Sequence, residues 1–122
     1  MRYRNLALLY GGITLLWLQL EEDSVLPAVV LGLGAALLLA ARFARPAPDR
    51  LLPMMLTGAA TGLLTAPLAA ALMILKTGLH FHAVPDYPPA QILAVLGRAP
   101  LWALAGALAG IGLALATRAF RE

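Results

Sequence analysis

Four apolar segments, bounded by charged residues and prolines, make up most of this 122-residue chain. They cover residues 5–20, 25–41, 51–75 and 100–117. An α-helix of about 20 apolar residues crosses the ~30 Å hydrocarbon core of a lipid bilayer. The sequence therefore predicts an all-α, polytopic membrane protein, in which four transmembrane helices form two hairpins within a single membrane domain.

The composition supports lipid as the solvent and argues against nucleic acid as a partner. Hydrophobic residues account for 61% of the chain and charged residues for 12%, whereas soluble domains carry roughly 25% charge. The formal charge of +3 comes mainly from basic residues that flank the apolar segments, where they orient a membrane protein. The absence of cysteine excludes disulfides and thiolate metal sites.

The distribution of basic residues predicts the orientation of the chain. Lys76 and Arg98 fall on one side of the four-span arrangement, whereas the other side carries Arg2, Arg4, Arg42, Arg45, Arg50, Arg118 and Arg121. Cytoplasmic loops carry the excess of Lys and Arg. We therefore predict a multi-pass protein of the cell membrane with both termini in the cytoplasm.

Small residues recur at every fourth position in three of the predicted spans. This spacing places them on one helix face, where backbones can approach closely. The predicted packing residues are Ala28, Gly32 and Ala36 in the second span, Gly58, Gly62 and Ala66 in the third, and Gly106, Gly110 and Ala114 in the fourth. Either these faces hold the four helices together, or at least one of them contacts another membrane protein.

The segment 76–98 is the least regular part of the sequence. It is rich in proline and contains a short apolar stretch, 90–97, that cannot cross a bilayer. Three interpretations stay open for this stretch: an interfacial helix, a re-entrant segment, or a bent first turn of the fourth span.

One group of ionisable residues lies in this segment: Lys76, His80, His82 and Asp86. The simplest interpretation is an interfacial loop that contacts water, headgroups or a partner. One alternative is a metal site formed by His80, His82 and Asp86. Another is a cofactor site, in which His80 or His82 binds a haem, a chlorin or a quinone headgroup.

No catalytic arrangement accompanies these candidates. The predicted hydrocarbon zone has no Asp, Glu, Lys, Arg or His away from the span ends, although such groups usually mark transport pathways. We therefore predict no catalytic residue, no enzymatic activity, and neither a defined cofactor nor a metal.

The first two spans resemble a known membrane hairpin. Residues 15–20, the acidic turn that follows, the Gly-containing stretch 31–34 and the basic loop resemble the opening of the E-type component of the multisubunit sodium/proton antiporters. The resemblance implies an accessory component beside an ion-translocating complex, with no catalytic residues.

These observations favour a small, non-catalytic accessory or structural subunit of a larger energy-transducing membrane complex, whether respiratory, photosynthetic or antiporter-like. Its expected partners are the lipid bilayer and other membrane subunits. The alternatives are a small homo-oligomeric transporter or channel, and a cofactor- or quinone-binding protein that uses His80 or His82.

Overall fold

The computed structural model describes residues 2–80 and 84–122. Within these ranges all regular structure is helical. The helices are α1 (Tyr3–Gln19), α2 (Val25–Phe43), α3 (Leu51–Leu79), α4 (Pro89–Gly97) and α5 (Ala99–Arg121).

Three helical stretches of the described chain are long and apolar enough to cross a membrane. They are α2, α3 and the stretch Pro89–Arg121, which comprises α4 and α5. This result confirms the prediction of an all-helical membrane protein in its coarse form. With 17 residues, α1 is about 26 Å long at 1.5 Å per residue, shorter than the ~30 Å hydrocarbon core.

The helix bounds follow the predicted spans closely, with three differences. Helix α5 ends at Arg121, four residues beyond the predicted end at 117. Helix α3 continues through Gly78 to Leu79, beyond the predicted end at 75. The stretch 90–97 belongs to a separate short helix, α4, which packs against α3 and meets α5 at Arg98. The Pro89 ring occupies the first turn of α4, where no backbone donor is needed.

Helix α3 is the central element and packs against α2, α4 and α5. Its contact with α5 is a close approach of two backbones at glycines. A Cβ added at Gly58 would collide with the carbonyl group of Gly106, and one added at Gly62 would collide with that of Trp102. Gly110 lies equally close to the Met54 carbonyl. Only glycine allows this separation between α3 and α5.

Small residues also form the contact between α2 and α3. A Cβ at Gly32 would lie 2.9 Å from the Cβ of Ala69, and Ala28, Ala36 and Ala66 are almost completely buried. Ala114 of α5 is also buried. The predicted packing residues are thus all buried or in close backbone contact within this chain.

Helix α1 is held beside α2 by two tyrosines. The Tyr3 hydroxyl donates to the Leu38 carbonyl at 3.2 Å, and the Tyr10 hydroxyl to the Leu31 carbonyl at 2.8 Å. The two tyrosines are seven residues apart in α1, and their two acceptors are seven residues apart in α2, in the reverse order. The two helices are therefore antiparallel. The Thr14 hydroxyl bonds the carbonyl of Tyr10 in its own helix at 2.9 Å, as expected for threonine in an apolar helix.

The two ends of the helix assembly differ in charge. We call the end that carries Glu21, Glu22, Asp23 and Asp86 the acidic end. The arginine end comprises the loop 44–50 with its flanking residues and the C-terminus of α5, which are joined through Asp49. Arg118 donates to the Asp49 carbonyl at 2.7 Å, and Arg121 pairs with the Asp49 carboxylate at 3.2 Å.

Candidate functional site

A group of polar and aromatic side chains joins the helices at the acidic end. It links the end of α1, the turn 20–24, the end of α3 and the segment 84–88. We call this group the polar cluster; its members are Trp17, Glu22, Lys76, His80, Asp86 and Tyr87.

Lys76 lies at the centre of the polar cluster. Its side chain extends from the last turn of α3 and is 0% exposed. The ammonium group donates a hydrogen bond to the Glu22 carbonyl and lies 3.9 Å from the Glu22 carboxylate. It also lies 4.3 Å from the centre of the Trp17 ring, where a cation is attracted by the negative face of the indole. A buried cation is stable only with such partners.

Glu22 shapes the turn between α1 and α2. Its carboxylate accepts a hydrogen bond from the Trp17 indole at 3.2 Å and one from the Ser24 backbone amide at 2.8 Å. The Ser24 hydroxyl also donates to this carboxylate. Ser24 is the N-cap residue of α2, but its side chain makes no capping bond there. The turn is therefore fixed by Glu22.

His80 connects α3 to both α1 and the segment 84–88. Its Nε2 lies 2.7 Å from the Leu18 carbonyl, and its Nδ1 lies 2.7 Å from the Asp86 carboxylate. Both of these partners are hydrogen-bond acceptors. Leu18 lies in the last turn of α1, where carbonyls lack helical partners. His80 thus links the end of α1 to the end of α3 and to the segment 84–88.

Tyr87 closes the cluster over the start of α2. It is 1% exposed, and its hydroxyl donates to the Ser24 carbonyl at 2.9 Å. Its backbone amide donates to the Thr77 hydroxyl at 3.2 Å. Burial raises the pKa of Tyr87 to about 12, with smaller contributions from the negative charges of Glu22, Asp23 and Asp86. The phenol therefore stays neutral at physiological pH.

The described contacts of the polar cluster join its members to one another and to backbone carbonyls. They connect four chain segments that are distant in sequence, above a hydrophobic core that includes Leu18, Leu31 and Met73. Chemically, the arrangement can neutralise buried charge and occupy the carbonyls at the end of α1. This pattern is typical of contacts that stabilise the packing of helix ends.

The structure brings together some of the predicted site residues. His80 and Asp86 are in contact, and Lys76 meets the acidic turn through Glu22. His82 lies outside the described residues. Among those that the structure describes, no three His, Asp or Glu side chains are placed to hold a metal ion. The metal and cofactor hypotheses for His80 and His82 stay predictions.

Sequence reasoning did not single out Tyr87 as a member of the site. The available signal was its position between Pro85 and Pro88, because closely spaced prolines restrict a loop and can fix a side chain.

A second feature that the sequence did not reveal is an apolar groove of about 430 Å³ along α2, α3 and α5. Its walls are α2 and α5, and its floor is α3. The lining residues lie within 29–40 of α2, 54–65 of α3 and 102–113 of α5, and Pro46 lines the groove at the arginine end. We call this feature the apolar groove.

Comparison with known protein families, with curated proteins and with solved structures found no match to this chain. The resemblance to the E-type antiporter component therefore stays a prediction that rests on the residues of the first two spans.

Proposed function

We propose that this protein is a small, non-catalytic accessory subunit of a larger energy-transducing membrane complex. In this proposal α1 is the helix that contacts the neighbouring subunit, and the polar cluster keeps α1 in place. The partner contributes a transmembrane helix that packs along the uncovered face of α1.

The observation that carries the proposal is the sparse packing of α1. Within this helix, all of which is described, the buried residues are Trp17 and Leu18, both near its end at the acidic end. The rest of α1 contacts α2 along one side. Leu8, Leu15 and Leu16 are all more than 60% exposed.

Two glycines in α1 support the same conclusion. A Cβ added at Gly11 or Gly12 would meet nothing within 4 Å, whereas the glycines between α3 and α5 are required by close backbone contact. Glycine inside a helix costs about 1 kcal/mol relative to alanine. Gly12 lies on the exposed face of α1 with Leu8, Leu16 and Gln19. In the proposed complex, Gly12 lets the backbone of a partner helix approach α1 closely.

We further propose that α1 crosses the membrane, so that the chain has four spans with both termini in the cytoplasm of the cell. The tyrosine bonds from α1 to α2 support this topology, because they hold residues 3–10 of α1 alongside residues 31–38 of α2. The arginines at the two chain termini and in the loop 44–50 favour the cytoplasmic side.

Recovery of the tagged protein from its host membranes in native nanodiscs tests the proposal. We expect stoichiometric recovery of other membrane subunits with the wild type and loss of those subunits with Gly12→Leu. The matched control is Gly112→Leu in α5, because an added Cβ at Gly112 also meets nothing within 4 Å. Both variants replace glycine with a better helix former, so both should fold.

The other outcomes separate the remaining hypotheses. Recovery of the chain alone, as a defined homo-oligomer, would favour the transporter or channel. A pigment or metal in the purified sample would favour the cofactor-binding alternative. Equal recovery of partner subunits with Gly12→Leu and Gly112→Leu would show that α1 is not the contact helix.

A further inference from the structure

We infer that the apolar groove binds one acyl chain of an anionic phospholipid, whose phosphate group contacts the arginines at the arginine end. This inference concerns a different surface from the α1 face and does not depend on the proposed function.

The groove runs along three helices from the arginine end toward the acidic end. Its lining covers 29–40 of α2, 54–65 of α3 and 102–113 of α5. These stretches are offset along the bundle, because Gly32 of α2 packs against Ala69, whereas Gly110 of α5 packs against Met54. The distance along α3 from Met54 to Ala69 is about 22 Å at 1.5 Å per residue, which is more than one leaflet of a ~30 Å hydrocarbon core.

The lining of the groove is mainly apolar, and its two buried threonines are hydrogen-bonded within α3. The Thr61 and Thr65 hydroxyls donate to carbonyls of their own helix, at 2.7 and 2.8 Å. The remaining lining is mainly aliphatic and glycine, with Trp102 at the deep end. Since polar ligand groups buried here would lose their partners in water, the occupant at depth is a hydrocarbon chain.

The charge at the shallow end predicts the headgroup. The segments 42–50 and 118–122 carry five arginines and two acidic residues, Asp49 and Glu122, so their net charge is +3. Ala40 and Pro46 line the groove on either side of Arg42 and Arg45 in the sequence. Basic residues between transmembrane helices at this level recognise anionic lipid headgroups.

Arg45 occupies a position where glycine would be favoured. It follows the C-cap of α2 with φ at 36°, in the region that L-residues adopt at a cost. Its Nε donates to the Ala41 carbonyl at 3.2 Å, and the side chain remains exposed. The exposed side chain is therefore accessible to the phosphate group of a lipid.

The test measures which lipid stays with the protein. The wild type is reconstituted in an equal mixture of phosphatidylglycerol and phosphatidylcholine, extracted gently, and analysed by native mass spectrometry. We expect one retained phosphatidylglycerol per chain. Arg45→Gly should reduce its retention about five-fold, the value for one arginine near a membrane surface. The control Arg98→Gln removes a charge at the opposite end and should have no effect.

A second pair of variants tests the groove itself. Ala109→Phe fills the groove, because Ala109 is exposed and lines it. Ala71→Phe adds the same ring at an exposed position of α3 outside the lining. We expect loss of the retained lipid with Ala109→Phe alone.

Three results would overturn the inference. The first is equal retention of the two lipids by the wild type. The second is unchanged retention in Ala109→Phe, which would assign the lipid to general surface attraction. The third is a protein in the groove, seen when Ala109→Phe releases a copurifying subunit instead of a lipid.

Discussion

The ammonium group of Lys76 lies 4.3 Å from the centre of the Trp17 ring, although the two residues belong to α3 and α1. This contact, together with the Glu22 carbonyl, provides the partners of a cation that is completely buried. It explains how α1 is held at the acidic end while most of its surface stays uncovered.

Replacement of Trp17 should therefore destabilise the protein more than replacement of Lys76. Trp17→Leu leaves the buried cation without its aromatic partner and removes the indole hydrogen bond to Glu22, a loss of about 2 kcal/mol. Lys76→Met removes the buried charge, so that no unpaired cation remains, and the methionine side chain fills most of the lysine's volume. Unfolding in mixed micelles of increasing SDS fraction measures both. A larger loss for Lys76→Met would contradict the assignment.

The pair formed by His80 and Asp86 should show energetic coupling. Their contact at 2.7 Å predicts that His80→Ala and Asp86→Ala are non-additive by about 1 kcal/mol or more. The control cycle combines His80→Ala with Asp49→Ala, since Asp49 belongs to the arginine end. Additivity in both cycles would show that the His80 contact contributes nothing to stability.

Tyr87 should make stability depend on pH in the alkaline range. Its pKa rises from 10.0 to about 12 on folding, so the folded state favours the neutral phenol. The resulting stabilisation is fully present below pH 10 and is lost as the pH rises toward 12. The difference in unfolding free energy between wild type and Tyr87→Phe should shrink over this interval. A difference that stays constant would place the phenol in contact with solvent.

The glycine contact between α3 and α5 should tolerate no side chain. Gly58→Leu would place atoms inside the Gly106 carbonyl group, so we expect loss of the folded protein on detergent extraction. Gly112→Ala, where the added Cβ has open space, should instead stabilise α5 by up to about 1 kcal/mol. Size-exclusion chromatography in mild detergent distinguishes the two. A monodisperse Gly58→Leu protein would show that α3 and α5 can separate.

The sequence predicted the helical membrane architecture because long apolar segments have few alternatives in lipid. It placed the beginning of α3 correctly but ended this helix at 75, because the apolar pattern stops at Lys76. In the structure Lys76 is buried by partners from α1 and the following turn, so the helix continues. Hydropathy has no means of detecting such tertiary partners.

The candidate site was predictable only in part. The order of the spans places Lys76, Asp86 and the acidic turn at one end. The contacts of Lys76 with Glu22 and of His80 with Asp86 agree with this placement. The role of Tyr87 depends on the path of the segment 84–88, and the apolar groove depends on how α2 and α5 lie across α3. Neither the path of this segment nor the packing of these helices can be predicted from a local sequence pattern.

Contact between α1 and a partner subunit can be detected by photo-crosslinking in the native membrane. A photoreactive residue is placed at Leu16 of α1, which is 66% exposed, and as a control at Leu104 of α5, which is 59% exposed. We predict a discrete protein adduct from position 16 and lipid adducts alone from position 104. Lipid adducts alone from both positions would show that α1 faces lipid and not a partner subunit.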